Sequence, residues 1–191
     1  MTPPERSHPT THCFHGGKPL ERTPIGSTML RSMATVEAIC IADGGGAPMR
    51  KVVEVEAIAG IWLRGDRYAQ GTGFYSARPT DPGAREVTLF EVEVLDWLRD
   101  EHGITLRPDE HRRNLTVRGV HVMDLLGQRF SVGEVVLEGV RDCPPCEHLE
   151  QLTGQAVLPR LVNRGGLRAR VLVGGTLRVG DAISVQPRVS A

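Results

Sequence analysis

The chain has 191 residues, 40% of them hydrophobic, with 23 basic and 23 acidic side chains and a formal net charge of zero. That is enough apolar material for one well-formed core and predicts a single folded domain, while the neutral balance gives no global field to draw nucleic acid or an anionic membrane. No apolar run approaches the roughly 20 residues of a membrane span and the N-terminal stretch lacks the charged-then-apolar layout of a secretory leader, so a soluble, cytoplasmic protein is expected.

The segment up to Arg31 carries Pro3, Pro4, Pro9, Pro19 and Pro24 with paired Gly16-Gly17 and little apolar periodicity. It cannot offset its ordering entropy by burial, so residues 1–31 are expected to form a disordered tail. His12, Cys13 and His15 are a metal tract by residue type, with incidental clustering as the plainer reading. Met29 and Met33 stand directly before the first patterned stretch and offer internal starts of translation.

Ala34 to Ile41 alternates, a Gly44-Gly45-Gly46 turn follows, and Lys51 to Ile58 sets Val53, Val55 and Ala57 against Glu54 and Glu56. This pattern predicts a hairpin-like pair of strands with one wet face, followed by a short strand over Gly60 to Arg64. Gly65-Asp66-Arg67-Tyr68 reads either as a turn that presents Arg67 or Tyr68 to a cleft or as a plain surface turn. Thr88-Leu89-Phe90-Glu91 has the spacing of a capping box and predicts a helix through Val94, Trp97 and Leu98 that Gly103 stops.

Strand is expected again over Leu115 to Val120 and Arg129 to Val140. Leu167 to Val173 alternates with Arg168 and Arg170 up to a Gly174-Gly175 hairpin turn, Leu177 and Val179 form the return strand, and Gly180-Asp181 turns into Ile183 and Val185. Many short strands, frequent glycine turns and two helical stretches predict a mainly β fold over residues 34–188, a closed or nearly closed β-barrel with helices over its openings.

The chemistry concentrates in Arg141-Asp142-Cys143-Pro144-Pro145-Cys146-Glu147-His148-Leu149. The proline pair and a following helix-like run closed by Gly154 predict a helix that starts near Cys146, whose thiolate its free N–H groups would stabilise, with Cys143 outside that turn. Four cysteines are too few for a disulfide scaffold, so the CxxC reads as metal-binding or redox. A thiolate close to Arg112, Arg113 and Asn114 and to the Asn163-Arg164-Gly165-Gly166 turn would suit an anionic, soft-metal ligand.

The ordered series Gly65-Asp66-Arg67-Tyr68, Val87-Thr88-Leu89 with Glu91, Arg112-x-Asn114-Leu115-x-x-x-Gly119, Leu125-x-Gly127-x-x-Phe130-x-x-Gly133, Cys143-x-x-Cys146, Arg164-Gly165-Gly166 and Gly174-Gly175-x-x-x-x-Gly180-Asp181 resembles the MOSC family, named for the C-terminal domain of molybdenum cofactor sulfurases. The resemblance covers Ala34 to Gln186 and implies a mostly β barrel, a pterin-bound molybdenum (the molybdopterin cofactor), and a cysteine that ligates the metal or carries sulfur to it. Cys146 matches the family's key cysteine, the implied catalytic residue and metal ligand. Arg112 and Asn114 match its Arg-x-Asn element and Arg164, Gly165 and Gly166 its Arg-Gly-Gly turn; with Arg67 these are the implied cofactor-binding residues. Neither the amino-terminal β-domain of the amidoxime reductases nor the aminotransferase-like domain of the full sulfurases accompanies it, so a short, stand-alone member is expected.

Three readings follow. One is a molybdenum oxidoreductase that reduces N-hydroxylated small molecules with electrons from a partner reductase. A second is a sulfur carrier that holds a persulfide supplied by a cysteine desulfurase, a pyridoxal-phosphate enzyme, for maturation of the cofactor or of a metal–sulfur cluster. The third is a structural zinc on Cys143, Cys146 and His148, which lacks a fourth ligand.

Overall fold

The computed structural model describes residues 33–78 and 82–185. The expected tail, with His12, Cys13 and His15, lies outside them, as do residues 186–188 at the end of the expected domain. Among the described residues, eleven strands and two helices follow the chain in the order β1 (Thr35–Ile41), β2 (Arg50–Val52), β3 (Glu54–Ile58), β4 (Trp62–Leu63), β5 (Val87–Glu91), α1 (Val92–His102), β6 (Leu115–Arg118), β7 (Arg129–Val132), β8 (Val135–Asp142), α2 (Glu147–Thr153), β9 (Leu167–Val173), β10 (Gly175–Arg178) and β11 (Ile183–Val185). A 3₁₀ turn spans Val122–Leu125.

The strands form an eight-stranded sheet, ordered β11-β7-β8-β9-β5-β6-β1-β2, and a three-stranded sheet, β10-β3-β4. The fold is mainly β, but the sheets do not close into a barrel. Two breaks explain why. At Val53 the expected continuous strand divides: β2 stays on β1 in the large sheet, whereas β3 leaves to pair with β10. At Gly174-Gly175 the expected hairpin is instead a crossing, because β9 pairs with β8 and β5 while β10 enters the small sheet. Gly174 is needed at that crossing, since a Cβ there would lie 2.7 Å from the Ala57 carbonyl oxygen. Hydrogen bonds from Ile183 N to Ala34 O and from Gly180 N to Val36 O draw the start of β1 toward the turn before β11, without building a ladder of strand length.

β5 corrects a second expectation. Thr88 does not open a helix; it sits inside a strand with Val87, Leu89 and Phe90 buried around it, and α1 begins after Glu91. The Glu91 carboxylate accepts instead from Val122 N and the His121 ring. β5 and β6 pair in parallel, so α1 is the crossover that such a pair requires. As a strand buried on both faces, β5 separates two cores. Val87 and Leu89 join the interior of the sheets with Leu115, Phe130 and Leu137, while Phe90 packs with Leu98 of α1, Leu149 of α2, Val157 and Leu161. Each such Leu or Phe contributes about 2 kcal/mol on burial, which fixes α2, and hence the cysteine motif before it, against β5 and α1. Gly103 and Gly154 end the two helices in left-handed conformations, as expected. Among the described residues no helix is long and apolar enough to cross a membrane.

Candidate functional site

β8 ends at Asp142 and the chain then runs through Cys143-Pro144-Pro145-Cys146 into α2. Cys146 is the residue just before the helix, extended at φ −143° and ψ 159°, and its carbonyl accepts from Leu149 N at 2.9 Å. The helix thus starts next to Cys146, as expected, with the thiol one residue before the first turn. Cys146 is partly exposed and lines a cavity of about 360 Å³; Cys143 is 4% exposed. Burial first, and the nearby Asp109 charge second, push the Cys40 thiol up to about 11, so it stays protonated and inert.

A single buried arginine holds the cysteine loop. Arg113 Nε donates to Gly165 O at 2.8 Å, Nη2 to Cys143 O at 2.9 Å and Pro144 O at 3.2 Å, and Nη1 to His111 O at 3.2 Å. His111 supports it from below: its Nδ1 accepts from Arg113 N at 3.0 Å, so Nε2 carries the proton and donates to Thr116 Oγ1 at 2.9 Å. Burial, reinforced by the Arg113 charge, holds this imidazole down at about 3, and it is neutral at neutral pH. The Arg-Gly-Gly turn closes on the loop from the other side. Cys143 N donates to Gly166 O at 2.8 Å, and a Cβ on Gly165 would stand 2.3 Å from Cys143 O.

Seven arginines line the cavity, Arg67, Arg78, Arg85, Arg112, Arg113, Arg141 and Arg168, and no aspartate or glutamate among the described residues does. Several are engaged with the protein itself. Arg112, in the left-handed region at φ 65°, directs Nη1 to Ala47 O at 2.6 Å and Nη2 to Gly45 O at 2.9 Å, tying down the loop between β1 and β2. Arg67 pairs with buried Asp66 at 3.1 Å and donates to Arg112 O at 3.1 Å. The Gly-Asp-Arg-Tyr turn thus presents both Arg67 and Tyr68 to a cleft. Aromatic groups complete the wall: Phe74 stacks on His148 at 4.0 Å, and His148 Nε2 donates to Gly45 O. Burial, then the adjacent Cys146 sulfur, push the Tyr75 phenol above its ordinary value.

Of the residues singled out in the sequence, Arg67, Tyr68, Arg112, Arg113, Cys143, Cys146 and His148 line this cavity. Asn114 does not line it. Its amide lies in the core, accepting from Thr88 Oγ1 at 2.8 Å and donating to Cys40 O at 3.2 Å and Asp66 Oδ1 at 3.3 Å. Arg164 is exposed, its guanidinium over the Trp97 ring at 4.5 Å. Gly165 and Gly166 line a recess of about 450 Å³ that shares Arg141, Cys143 and Pro144 with the first. Arg113 belonged to the cluster read beside the thiolate, whereas Arg85, Arg141, Arg168 and Tyr75 were not legible as site residues. The one hint in the sequence was that Arg141 and Arg168 stand at strand positions near the cysteines and the Gly-Gly turn.

The zinc arrangement is not assembled. Among the described residues no three His, Cys, Asp or Glu side chains gather as a cation site, and His148 is turned to Gly45 and Phe74.

Fold and site together define a mainly β protein with a thiol on the wall of an arginine-lined cavity. Residues 58–184 match the MOSC domain, and the chain belongs to the MOSC domain family. Similar solved structures include the YuaD protein from Bacillus subtilis, with 18% identity over 80% of this chain and 95% of that one and a TM-score of 0.67. YiiM from Geobacillus stearothermophilus has 15% identity over 81% and 76% at a TM-score of 0.62, and YiiM from Escherichia coli 18% over 82% and 72% at 0.57. At these identities the likeness is one of fold. No curated protein matches the chain in sequence.

Proposed function

We propose that this chain binds the molybdenum cofactor in the arginine-lined cavity, with Cys146 as the thiolate ligand, and reduces N-hydroxylated small molecules with electrons from a partner reductase. The observation that carries the reading is the pairing of a partly exposed thiol with seven guanidinium groups and no carboxylate on one cavity wall. The donor set fits the group: a soft, sulfur-rich metal takes a thiolate, and a phosphorylated pterin takes arginine. The volume, about 360 Å³, is that of a small-molecule site.

When bound, the molybdenum would supply the two-electron chemistry that, with two protons, converts an N-hydroxyl compound to the amine and water. The chain's own residues would present and hold it. Arg113 and the Gly165-Gly166 turn fix the loop that carries Cys146, Tyr75 stays protonated beside the sulfur and can donate to a thiolate, and Phe74 with His148 forms an aromatic wall. Arg112 and Asn114 would act by bracing the elements around the site, Arg67 and Tyr68 by shaping it.

The persulfide-carrier reading has its own observation. Cys146 also lines a neighbouring recess, of about 430 Å³, with Glu147, Gln151 and Leu158 on the α2 side, and a partly exposed thiol beside an open recess suits receipt of sulfur from a desulfurase. Metal and sulfane-sulfur analysis of protein from a molybdopterin-competent host separates the two. Stoichiometric molybdenum with N-hydroxyl reduction supports the first; no molybdenum with a labile persulfide on Cys146 overturns it in favour of the second.

A further inference from the structure

Cys143 has no part in the function proposed above, yet it lines the same cavity as Cys146 and is the other half of the CxxC motif. A CxxC pair that works as a dithiol must bring its Cα atoms within about 7 Å to close a disulfide. This one does not. Residues 143–146 run without a turn, Cys146 itself extended at φ −143° and ψ 159°. Each proline holds φ near −65° and keeps the residue before it extended, so Cys143 and Pro144 stay out of the helical region. Three such steps, at about 3.1 Å of rise each, set the two Cα atoms roughly 9 Å apart with both side chains on one face.

The separation is locked from both sides. Arg113 Nη2 donates to Cys143 O at 2.9 Å and to Pro144 O at 3.2 Å, and Cys143 N donates to Gly166 O at 2.8 Å. Gly165 lies so close that a Cβ there would stand 2.9 Å from Pro145 N. At the far end Cys146 O accepts from Leu149 N at 2.9 Å, and Leu149 is buried. The prolines carry no N–H with which the loop could form new bonds in a bent shape.

We propose that Cys143 and Cys146 are two separate thiols in the folded chain, with Arg113 as the latch that keeps them from closing a disulfide. A small-molecule disulfide R–S–S–R then modifies Cys146 alone. The Cys146 thiolate attacks one sulfur, a Cys146–S–S–R bond forms, and R–S⁻ leaves and takes up a proton. The Cys146 sulfur is oxidised, one R sulfur is reduced, and only an external thiol reverses the exchange. Cys143 likewise cannot attack a persulfide on Cys146, the step that would close the internal disulfide and expel HS⁻, so sulfane sulfur there leaves only to an external acceptor. The inference rests on the cysteine loop and not on a metal.

The test takes the full chain, purified free of cofactor, and treats it with glutathione disulfide in native buffer and in urea. Both cysteines fall on one tryptic peptide, residues 142–160, so a glutathionyl adduct and a loss of two hydrogens are read on the same fragment. In native buffer the adduct should form on Cys146 and persist. In urea Cys143 should displace the glutathione, and native closure should be slower by at least about a hundred-fold, since opening the latch breaks two charge-assisted hydrogen bonds. Arg113→Gln, its fold checked by circular dichroism, should close about ten-fold faster than wild type in native buffer. Native closure at a rate near that in urea, an adduct on Cys143, or no adduct at all overturns the proposal, and this wild-type comparison decides even where the variant does not fold. Failure to close in urea, or an Arg113→Gln rate equal to that of wild type, overturns the latch by placing the barrier in the proline spacer alone. None of these outcomes depends on the molybdenum content by which the function itself is judged.

Discussion

Arg112 and Arg113 line the same cavity as Arg85 and Arg168, yet the two pairs differ in where their donors go. The first pair aims its guanidinium groups at backbone carbonyls, those of Gly45, Ala47, His111, Cys143, Pro144 and Gly165. In the second, Arg168 keeps a buried Nε without a partner and Arg85 sits among like charges. The difference teaches that cationic character near a thiol does not by itself identify a ligand contact. Counting donors against partners separates arginines whose guanidinium groups are spent on backbone carbonyls from one that keeps an unpartnered nitrogen.

The comparison breaks most visibly at Arg113. Arg113→Ala leaves buried carbonyls on both sides of the cysteine loop without a donor and should cost about 3 kcal/mol, read as a lowered urea midpoint, with faster alkylation of Cys143 as the loop opens. A midpoint equal to that of wild type would erase the distinction between the two pairs. Beneath it, His111 sets a pH dependence. Its folded value of about 3 lies below the unfolded 6.5, so the unfolded chain binds the extra proton, and the stabilisation present above pH 6.5 is lost as pH falls toward 3. Between pH 6.5 and 5 this amounts to about 2 kcal/mol. Urea midpoints across that window should fall in wild type and stay flatter in His111→Gln; parallel slopes would remove His111 as the cause. The smallest effect is expected at Arg112→Lys, about 1 kcal/mol, because an ammonium cannot span the Ala47 and Gly45 carbonyls as the guanidinium fork does. Proteolysis of the loop between β1 and β2 should quicken in that variant, and an unchanged rate would count against its bracing role.

What the sequence disclosed was local in origin. Gly103 and Gly154 announced helix ends because a left-handed residue there is a property of a few neighbours, and Pro144-Pro145 announced the entry to α2 for the same reason. Thr88-x-x-Glu91 misled because the same spacing serves a strand whose threonine bonds Asn114 from another element. Gly174-Gly175 misled because the partner of β10 is β3, more than a hundred residues earlier, and no local signal says so. The closed barrel failed with it, since alternation fixes which residues face inward and not which strands meet. The facing of Arg141 and Arg168 escaped notice for a related reason: the two become opposites only through the β8–β9 register. The cysteine pair, by contrast, stood out in the sequence as a candidate site by its spacing, and the structure separates its members by burial.

The central claim, that Cys146 is the working thiol of a molybdenum site, is tested most directly by measuring molybdenum per chain in wild type, Cys146→Ser and Cys143→Ser purified in parallel from a molybdopterin-competent host. Folding should be little affected by Cys146→Ser at this partly exposed position, with circular dichroism as the check. Stoichiometric metal in wild type and Cys143→Ser, with loss in Cys146→Ser, is the predicted result; metal retained by Cys146→Ser, or lost only in Cys143→Ser, would contradict it.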